Sequence, residues 1–203
     1  MAKDWEARRD YTGFELGVDA LRQVGHARLA KSRPGLESHV HDSCFEICYL
    51  NKGRMHWWAA SEENDYIVEP GEFYLTYPDE PHGGVDGMHE AGDLYWMSVD
   101  LNVLDFAAGV ACRESLKQTL CALPRHFMGQ ANVPLYFEQI LGALQAPGPY
   151  AALRIRSALV QIIMALIDCG DAAMHDDRRQ DPRLELVMQK IRQEPQAYRG
   201  IDA

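Results

Sequence analysis

The sequence predicts a mainly β domain followed by helices, and three observations lead to this fold class. From about Val24 to Leu101, short extended runs are separated by turn residues, which is typical of an all-β sandwich or barrel. After Asp105, apolar residues recur at helical spacing instead. The chain has 203 residues, of which 47% are hydrophobic, so it is long enough to build one globular domain with a helical extension.

The β region is predicted from alternating apolar runs and the turns between them. One run ends at Asn51-Lys52-Gly53, a hairpin-like turn, and a second pair of runs flanks Glu69-Pro70-Gly71, where Pro and Gly favour a turn. In the run after Gly53, Met55, Trp57 and Ala59 share one face, and His56 and Trp58 share the other. The runs are 45–50, 54–60, 66–68, 73–77 and 95–101.

Three helices are predicted after the β region. Leu116, Leu120 and Leu123 fit the first, the second runs from about Asn132 to the Ala146-Pro147-Gly148-Pro149 stop, and the third covers about 150–168. The third helix has an apolar surface too wide for one neighbour. Two interpretations stay open, burial in the core and an interface with a second subunit.

The last part of the chain is predicted as a polar linker and a new helix. Residues 171–180 are polar, and Asp181-Pro182 then supplies an N-cap and a proline at the first helical position. Leu184, Val187 and Ile191 form a short apolar stripe before the chain ends at Ala203. We expect this stretch to be the opening of a further module.

Charge and composition exclude several classes of function. Twenty basic and thirty acidic side chains give a net charge of −10, which would repel phosphates, so we do not expect this chain itself to bind DNA. It has no run of about 18 apolar residues and no signal-peptide pattern at its start, which predicts a cytoplasmic protein without a membrane partner. The five cysteines are an odd number and are scattered with no Cys-x-x-Cys pair, which suggests neither a disulfide framework nor a zinc ribbon. We expect them to be reduced thiols.

Three histidines and a glutamate are the candidate metal-binding or ligand-binding residues. His39 and His41 are two residues apart, so on a strand they point to the same side. Glu46 follows a bend at Asp42-Ser43 and lies in an apolar strand, where an uncompensated charge is costly. The turn from Pro78 to Pro81 is stiffened by its prolines, and we expect it to place His82 on a neighbouring strand that faces His39 and His41. Three imidazoles and one carboxylate suit Zn, Fe, Mn, Ni or Cu, and a metal-free polar ligand pocket is the alternative interpretation.

Two stretches, one from His39 to Gly53 and one from Gly71 to His82, resemble the paired motifs of the cupin superfamily. The matching residues are His39-x-His41, Glu46 and Gly53 in the first stretch, and Gly71 to Pro78 with His82 in the second. The resemblance implies a double-stranded β-helix, a jelly-roll barrel in which His39, His41, Glu46 and His82 bind a metal where one is present.

Within the superfamily, the sequence resembles the sensing domains of AraC-type transcription regulators. This resemblance is carried by the second stretch, by the strand Tyr95 to Leu101 and by the C-terminal segment from Leu184. It implies a sensor barrel over 1–105, a helical dimerisation region over 106–170, a linker over 171–180, and the first helix of a truncated helix-turn-helix domain over 181–203. Such a protein is a homodimer that binds a small-molecule effector, is not an enzyme, and contacts DNA only through the absent module.

Two further expectations concern the ligand. Aromatic rings in the barrel could stack on an effector, and we expect Trp58 and Tyr77 to take part, although barrel core is the interpretation for most of the aromatic residues. The alternative function is a metal-dependent cupin enzyme, such as an oxygenase or a sugar isomerase, that uses the open positions of the metal as a Lewis acid.

Overall fold

The computed structural model describes residues 5–34, 36–62, 65–85, 88–105 and 109–177. In these residues the chain forms eleven strands and three α-helices. The strands are β1 (Trp5–Tyr11), β2 (Leu21–Leu29), β3 (Arg33–Pro34), β4 (Phe45–Lys52), β5 (Met55–Ala59), β6 (Tyr66–Val68), β7 (Glu72–Thr76), β8 (His82–Gly84), β9 (Met88–His89), β10 (Gly92–Val99) and β11 (His126–Met128). The helices are α1 (Gly109–Ala122), α2 (Val133–Gln145) and α3 (Ala151–Asp177).

The strands form antiparallel sheets that close around an apolar interior. The largest sheet has the order β1-β2-β10-β4-β7-β11, a three-stranded sheet has the order β6-β5-β8, and β3 pairs with β9. The chain therefore crosses between the two sheets after β4, after β6 and after β7, because β4 and β7 belong to the large sheet while β5, β6 and β8 belong to the small one. The turn at Gly53 corrects the hairpin interpretation, since the strands on its two sides do not pair with each other.

Gly53 makes this crossing sterically feasible. Its φ of 85° is in the left-handed region, and a Cβ atom there would lie 2.5 Å from the carbonyl oxygen of Ala91. Only glycine combines this backbone conformation with so close an approach. The chain consequently leaves the large sheet at β4 and enters the small sheet at β5.

The large sheet separates two apolar cores. Its inner face closes over the barrel interior, where the buried residues are Ala27, Leu29, Cys48, Leu50, Met55, Trp57, Val68, Tyr74, Leu94 and Trp96. Its outer face packs against the helices through residues such as Phe45, Ile47 and Tyr49. Strand β4 is therefore buried on both faces, and so is β10, where the predicted alternation of buried and exposed residues is absent for that reason.

Helices α2 and α3 cover the outer face of the large sheet. Helix α2 begins after Asn132 with Pro134 in its first turn, and it ends before Pro147, as the sequence predicts. Helix α3 buries one side that includes Ile155, Leu159 and Ile162. Its other side leaves Leu153 and Met164 exposed.

Three sequence predictions need correction. The β region begins earlier than Val24, because β1 and the start of β2 precede that residue. The predicted helical region 106–170 also supplies β11, which extends the large sheet by pairing with β7. Helix α3 continues to Asp177 and so runs through most of the predicted linker 171–180, since polar residues on an exposed surface are compatible with a helix. The predicted helix over 181–203 lies outside the described residues.

Helix α3 is long and apolar enough, by length and composition alone, to cross a membrane over Ala151–His175. Core helices of water-soluble proteins meet the same criterion. In this structure Ile155, Leu159 and Ile162 are fully buried in the core shared with the large sheet. The apolar character of that side of the helix is thus accounted for by packing within the chain.

Candidate metal centre

The local folding of three segments brings His39, His41, Glu46 and His82 together at one end of the barrel. Glu46 is the second residue of β4, on the inward face that also carries Cys48. His82 begins β8 opposite Ala59 of β5. His39 forms an isolated antiparallel bridge with His82, with N–H to carbonyl distances of 3.0 Å in both directions. That bridge places the two imidazoles side by side, with ring centroids 4.4 Å apart.

A tight bend between His41 and β4 turns the chain towards the same point. Ser43 has a φ of 57°, and the N–H of Cys44 donates to the carbonyl of His41 over 3.3 Å. The side chain of Asp79 closes the bend from outside, since it accepts a hydrogen bond of 2.9 Å from the N–H of Ser43. The bend expected at Asp42-Ser43 is therefore present, and it sets His41 beside Glu46.

The four side chains offer ligand atoms that all lie within 4.8 Å of one another. The Glu46 carboxylate is central, because one oxygen lies 3.3 Å from Nε2 of His41 and the other lies 3.0 Å from Nε2 of His82. Glu46 and His82 are buried, whereas His39 and His41 are half-buried. The site therefore has a closed inner side and a partly open outer side.

Proton positions follow from the hydrogen-bond partners. Burial tends to raise the pKa of Glu46, but the hydrogen bonds from His41 and His82 outweigh it and lower the pKa to about 2. Burial likewise tends to lower the pKa of His82, but the hydrogen bond to Glu46, the negative charge of Glu46 and the contacts with Glu80 together outweigh it, so the pKa is raised. Nδ1 of His82 also faces an acceptor, the carbonyl oxygen of Glu80, at 2.7 Å. Both ring nitrogens of His82 therefore face acceptors, Nδ1 the carbonyl of Glu80 and Nε2 the carboxylate of Glu46.

This arrangement fits a transition-metal ion. Metal-bound nitrogen and oxygen atoms lie about 2.0–2.2 Å from the ion, so adjacent ligand atoms are roughly 3–3.5 Å apart, close to the two distances at Glu46. Nδ1 of His39 lies 2.9 Å from the carbonyl oxygen of Glu37, so His39 and His82 each use Nδ1 for a backbone acceptor and leave Nε2 for the ion. An ion would replace the Nε2 proton of His82. Three imidazoles and one carboxylate could hold Zn, Fe, Mn, Ni or Cu.

A polar cleft of about 640 Å³ borders the site at His41, which is the clustered residue that lines it. His41, Cys44 and Ser98 lie on its inner wall, and an ion pair between Arg22 and Asp100, 2.8 Å long, forms another part of the wall. The apolar interior of the barrel, by contrast, has no room for a water molecule among Cys48, Leu50, Met55, Trp57, Val68, Tyr74 and Leu94. A small molecule in the cleft would therefore meet the cluster at His41.

The structure does not bring Trp58 and Tyr77 into this cluster. Trp58 is on the opposite face of β5 from Trp57 and Ala59, which are the residues that point inwards. The ring of Tyr77 packs on the outer core against Phe45, and its hydroxyl donates to the carbonyl of Cys121 at 3.0 Å. Strand alternation turns both rings away from the barrel interior, so the structure places neither of them beside the four clustered residues. That they contact an effector stays a prediction.

Sequence reasoning missed two hydroxyl groups beside Glu46. Thr76 of β7 and Ser98 of β10 stand in register with Glu46 on its two sides. Among the described residues, both hydroxyls are buried without a hydrogen-bond partner. Such groups are costly unless a water or ligand satisfies them. The available signal was a polar residue in an apolar strand, the same signal that identified Glu46.

Comparison with known proteins agrees with this geometry. A family model described as a cupin domain, Cupin_2, matches residues 25–99, the segment that contains all four clustered residues. Residues 25–99 have the cupin fold. The fold class predicted from the sequence, a cupin barrel with helices after it, is thereby confirmed.

One curated relative and several solved cupin structures resemble the chain. The uncharacterized HTH-type transcriptional regulator YisR of Bacillus subtilis (strain 168) is 32% identical over 74 residues, which is 36% of this chain and 25% of that protein. The chain thus matches about a quarter of the length of this relative.

The solved structures are more distant. A predicted oxalate decarboxylase of Thermotoga maritima has a TM-score of 0.39 and 16% identity, covering 45% of this chain and 77% of that one. KdgF of Halomonas sp. has a TM-score of 0.35 and 15% identity, covering 47% of this chain and 86% of that one.

Proposed function

We propose that this cupin is the effector-sensing and dimerisation portion of an AraC-type transcription regulator. Its ligands His39, His41, Glu46 and His82 bind a divalent transition metal, and the metal or the cleft beside it receives a small-molecule effector. The observation that carries this proposal is the double role of β4. One face of that strand presents Glu46, and the other, through Phe45 and Ile47, forms the core under the helices.

This double role links the site to the helices across a single strand. Glu46 lies between Phe45 and Ile47, so a displacement of its backbone moves residues that contact the outer core. Packed cores respond to such displacements by changing between discrete arrangements. An effector shifts that equilibrium only by the difference in its affinity for the two arrangements.

The effector proposed here is a polar small molecule rather than an apolar one. The cleft walls are formed mainly by Asp10, Thr12, Gln23, Asp42, Ser43, Ser98 and Asp100, with Arg22 as the positive group. These side chains supply both hydrogen-bond donors and acceptors. The packed apolar interior leaves no room for a hydrophobic ligand deeper in the barrel.

The helices complete the proposed regulator. Helix α3 pairs two copies through its exposed apolar residues, and a helix-turn-helix module after residue 180 contacts DNA. The similarity to an HTH-type regulator supports this arrangement. The proposal places the protein in the cytoplasm, where its DNA target lies, and assigns it no enzymatic activity.

Two measurements test the proposal. Elemental analysis of the purified protein is expected to find close to one transition-metal ion per chain, and much less in Glu46→Gln. Nuclease footprinting with the gene product extended through the downstream reading frame is expected to show a protected operator whose occupancy changes on metal removal. A downstream reading frame without a helix-turn-helix sequence would refute the regulator.

A metal-dependent cupin enzyme is the second candidate, favoured by one observation. The cleft adjoins His41 on the open side of the ligand cluster, so a substrate could reach the metal as it would in a Lewis-acid catalyst. Rapid metal-dependent turnover of a small polar substrate that His41→Ala abolishes would favour the enzyme. Saturable effector binding without turnover, accompanied by a change in operator occupancy, would favour the regulator.

A further inference from the structure

Arg125 is a buried cation in the connection between α1 and β11. Its side chain is 5% exposed, and its partner Glu80 is 6% exposed. The guanidinium contacts both carboxylate oxygens of Glu80, at 2.7 and 2.9 Å, in the two-pronged geometry that arginine alone provides. Its Nε donates to Glu62 at 3.0 Å. A residue from the helical part of the chain is thus locked into a loop of the barrel.

Glu80 belongs to the turn that delivers His82. Its side chain accepts a hydrogen bond of 2.9 Å from the N–H of Tyr77, which closes the turn upon itself. Its backbone carbonyl oxygen lies 2.7 Å from Nδ1 of His82. This contact orients the imidazole so that Nε2 points at Glu46, 3.0 Å away. Glu80 therefore helps to fix the orientation of the His82 imidazole.

The same turn also touches His41. The N–H of Asp79 donates to the carbonyl oxygen of His41 at 3.2 Å. Asp79 has a φ of 61°, an uncommon conformation that persists only where neighbouring contacts hold it. Two of the four clustered histidine and glutamate residues are consequently held by one turn.

On its other side, the turn is held by the α1–β11 connection. The Arg125 guanidinium lies 3.5 Å from the centre of the Tyr77 ring, and the Tyr77 hydroxyl donates to the carbonyl of Cys121 near the end of α1. The carbonyl of Arg125 accepts a hydrogen bond of 2.8 Å from the N–H of Leu75. The side chain and the backbone of Arg125 therefore both bind the segment 75–80, next to the end of α1.

We propose that Arg125 is a positioning residue for the metal ligand His82, and that it couples the metal centre to the α1–β11 connection. The coupling path runs from Arg125 through the Glu80 carboxylate and carbonyl to His82. This inference depends on the metal site of the proposed function. Because coupling is reciprocal, metal binding stabilises the connection by the same factor by which a displaced connection weakens metal binding.

The test measures zinc affinity of the whole 203-residue chain by calorimetric titration. Arg125→Met combined with Glu80→Gln removes the pair without leaving a buried charge, and keeps the Glu80 carbonyl in the chain. We expect zinc affinity to fall 10- to 100-fold, the usual range for groups that orient a metal ligand. Arg125→Lys keeps the charge but cannot make the two-pronged contact, so we expect a several-fold loss.

The matched control is Arg156→Met. Arg156 joins α3 to Asp105 and to the carbonyl of Gly17, so it also links a helix to another segment but touches no part of the 77–82 turn. Its zinc affinity should equal that of the wild type. Hydrogen exchange supplies the second measurement, since zinc should slow exchange over residues 121–128 in the wild type and in Arg156→Met, but not in the double variant.

Each outcome decides the inference. Wild-type zinc affinity in the double variant would overturn it, and so would zinc-induced protection of 121–128 that survives in that variant. If the double variant does not fold, unchanged affinity in Arg125→Lys overturns it equally. A wild-type protein that binds neither zinc, cobalt nor nickel would refute the metal site of the proposed function instead, and the inference would fall with it.

Discussion

Glu46 holds the candidate site together because it is the only anion among the four clustered side chains. Its carboxylate faces two imidazoles from within an otherwise apolar strand, and this environment keeps it charged, with a pKa lowered to about 2 despite burial. An ion bound there would gain both a ligand and a compensating charge. Removing the charge while keeping the shape of the side chain therefore separates metal binding from packing.

The first prediction concerns Glu46→Gln. At a zinc concentration 100 times the dissociation constant, binding stabilises the wild type by about 2.7 kcal/mol. For a chain of this size, that gain corresponds to a rise in Tm of roughly 5–10 °C, measured by thermal unfolding. We expect Glu46→Gln to lose most of this rise.

Glu72→Gln is the control for that measurement. Glu72 also lies beside a histidine, with 3.5 Å between its carboxylate and Nδ1 of His126, but it stands at the other end of β7. It should keep the full zinc-dependent rise. An equal rise in Glu46→Gln and the wild type would contradict the assignment of Glu46 as a ligand.

The second prediction concerns Asp93 and acid stability. Nδ1 of His26 lies 2.8 Å from Arg9, which can only donate, so Nε2 of His26 carries the proton that it donates to Asp93. Burial tends to raise the pKa of Asp93, but this bond and the nearby Asn51 and Arg28 outweigh it and lower the pKa. The stabilisation is therefore present above the unfolded pKa of about 3.9 and is lost as the pH falls through the folded pKa.

Asp93→Asn tests this pH dependence. By urea unfolding at pH 7, the variant should be less stable by about 2 kcal/mol, the cost of a weakened buried hydrogen-bond network. The difference from the wild type should shrink as the pH falls from 4 towards 2. Asp10→Asn changes an exposed pair with Arg8 and should show little effect at either pH. A difference for Asp93→Asn that is independent of pH would contradict this account.

At the scale of elements, the strand pattern was predictable but the partners of each strand were not. The alternation of Met55, Trp57 and Ala59 with His56 and Trp58 identified β5 and its inward face, as the structure has it. The same local pattern could not show that β4 and β5 lie in different sheets, because the choice of partner depends on residues far away in the sequence. Strand β1 was missed because its run Arg8-Arg9-Asp10 looks like a solvated segment, while in the structure Arg9 binds Glu138 of α2.

The third prediction concerns the exposed side of α3. Leu153, Val160 and Met164 repeat at spacings of seven and four residues, so they lie along one stripe of the helix. Leu153 is 66% exposed and Met164 is 47% exposed in the single chain. If α3 pairs two copies as proposed, Leu153→Glu combined with Met164→Glu places like charges in the interface. Light scattering after gel filtration should then report a monomer in place of a dimer.

Gln118→Glu is the control for the oligomeric state. It adds a negative charge at an exposed position of α1 and removes no apolar side chain. It should remain dimeric. A wild-type chain that is monomeric at tens of micromolar would refute pairing through α3, while a dimer unaffected by the double substitution would place the interface on another surface.

At the scale of the whole molecule, sequence reasoning located the candidate site but not what surrounds it. His39, His41 and Glu46 are close in the sequence, and the turn before His82 is recognisable, so their convergence followed from local patterns and family resemblance. Arg125 and Glu80 are 45 residues apart, and no periodicity connects them. The cleft likewise joins residues from β1, β2, β10 and the 40–44 segment, which only the folded chain brings together.

The last prediction follows from the net charge of −10. DNA binding requires basic groups that release counterions from the phosphates, and an acidic chain opposes that contact over distances near the Debye length, about 8 Å at physiological salt. The 203-residue chain should therefore show no gel shift with duplex DNA at 150 mM salt, with or without zinc. The gene product extended through the downstream reading frame should bind, with an affinity that falls steeply as salt is raised. If the 203-residue chain itself bound DNA, and a substitution within it abolished that binding, the phosphate contacts would lie within this chain. The proposed division between sensing and DNA-binding parts would then be wrong.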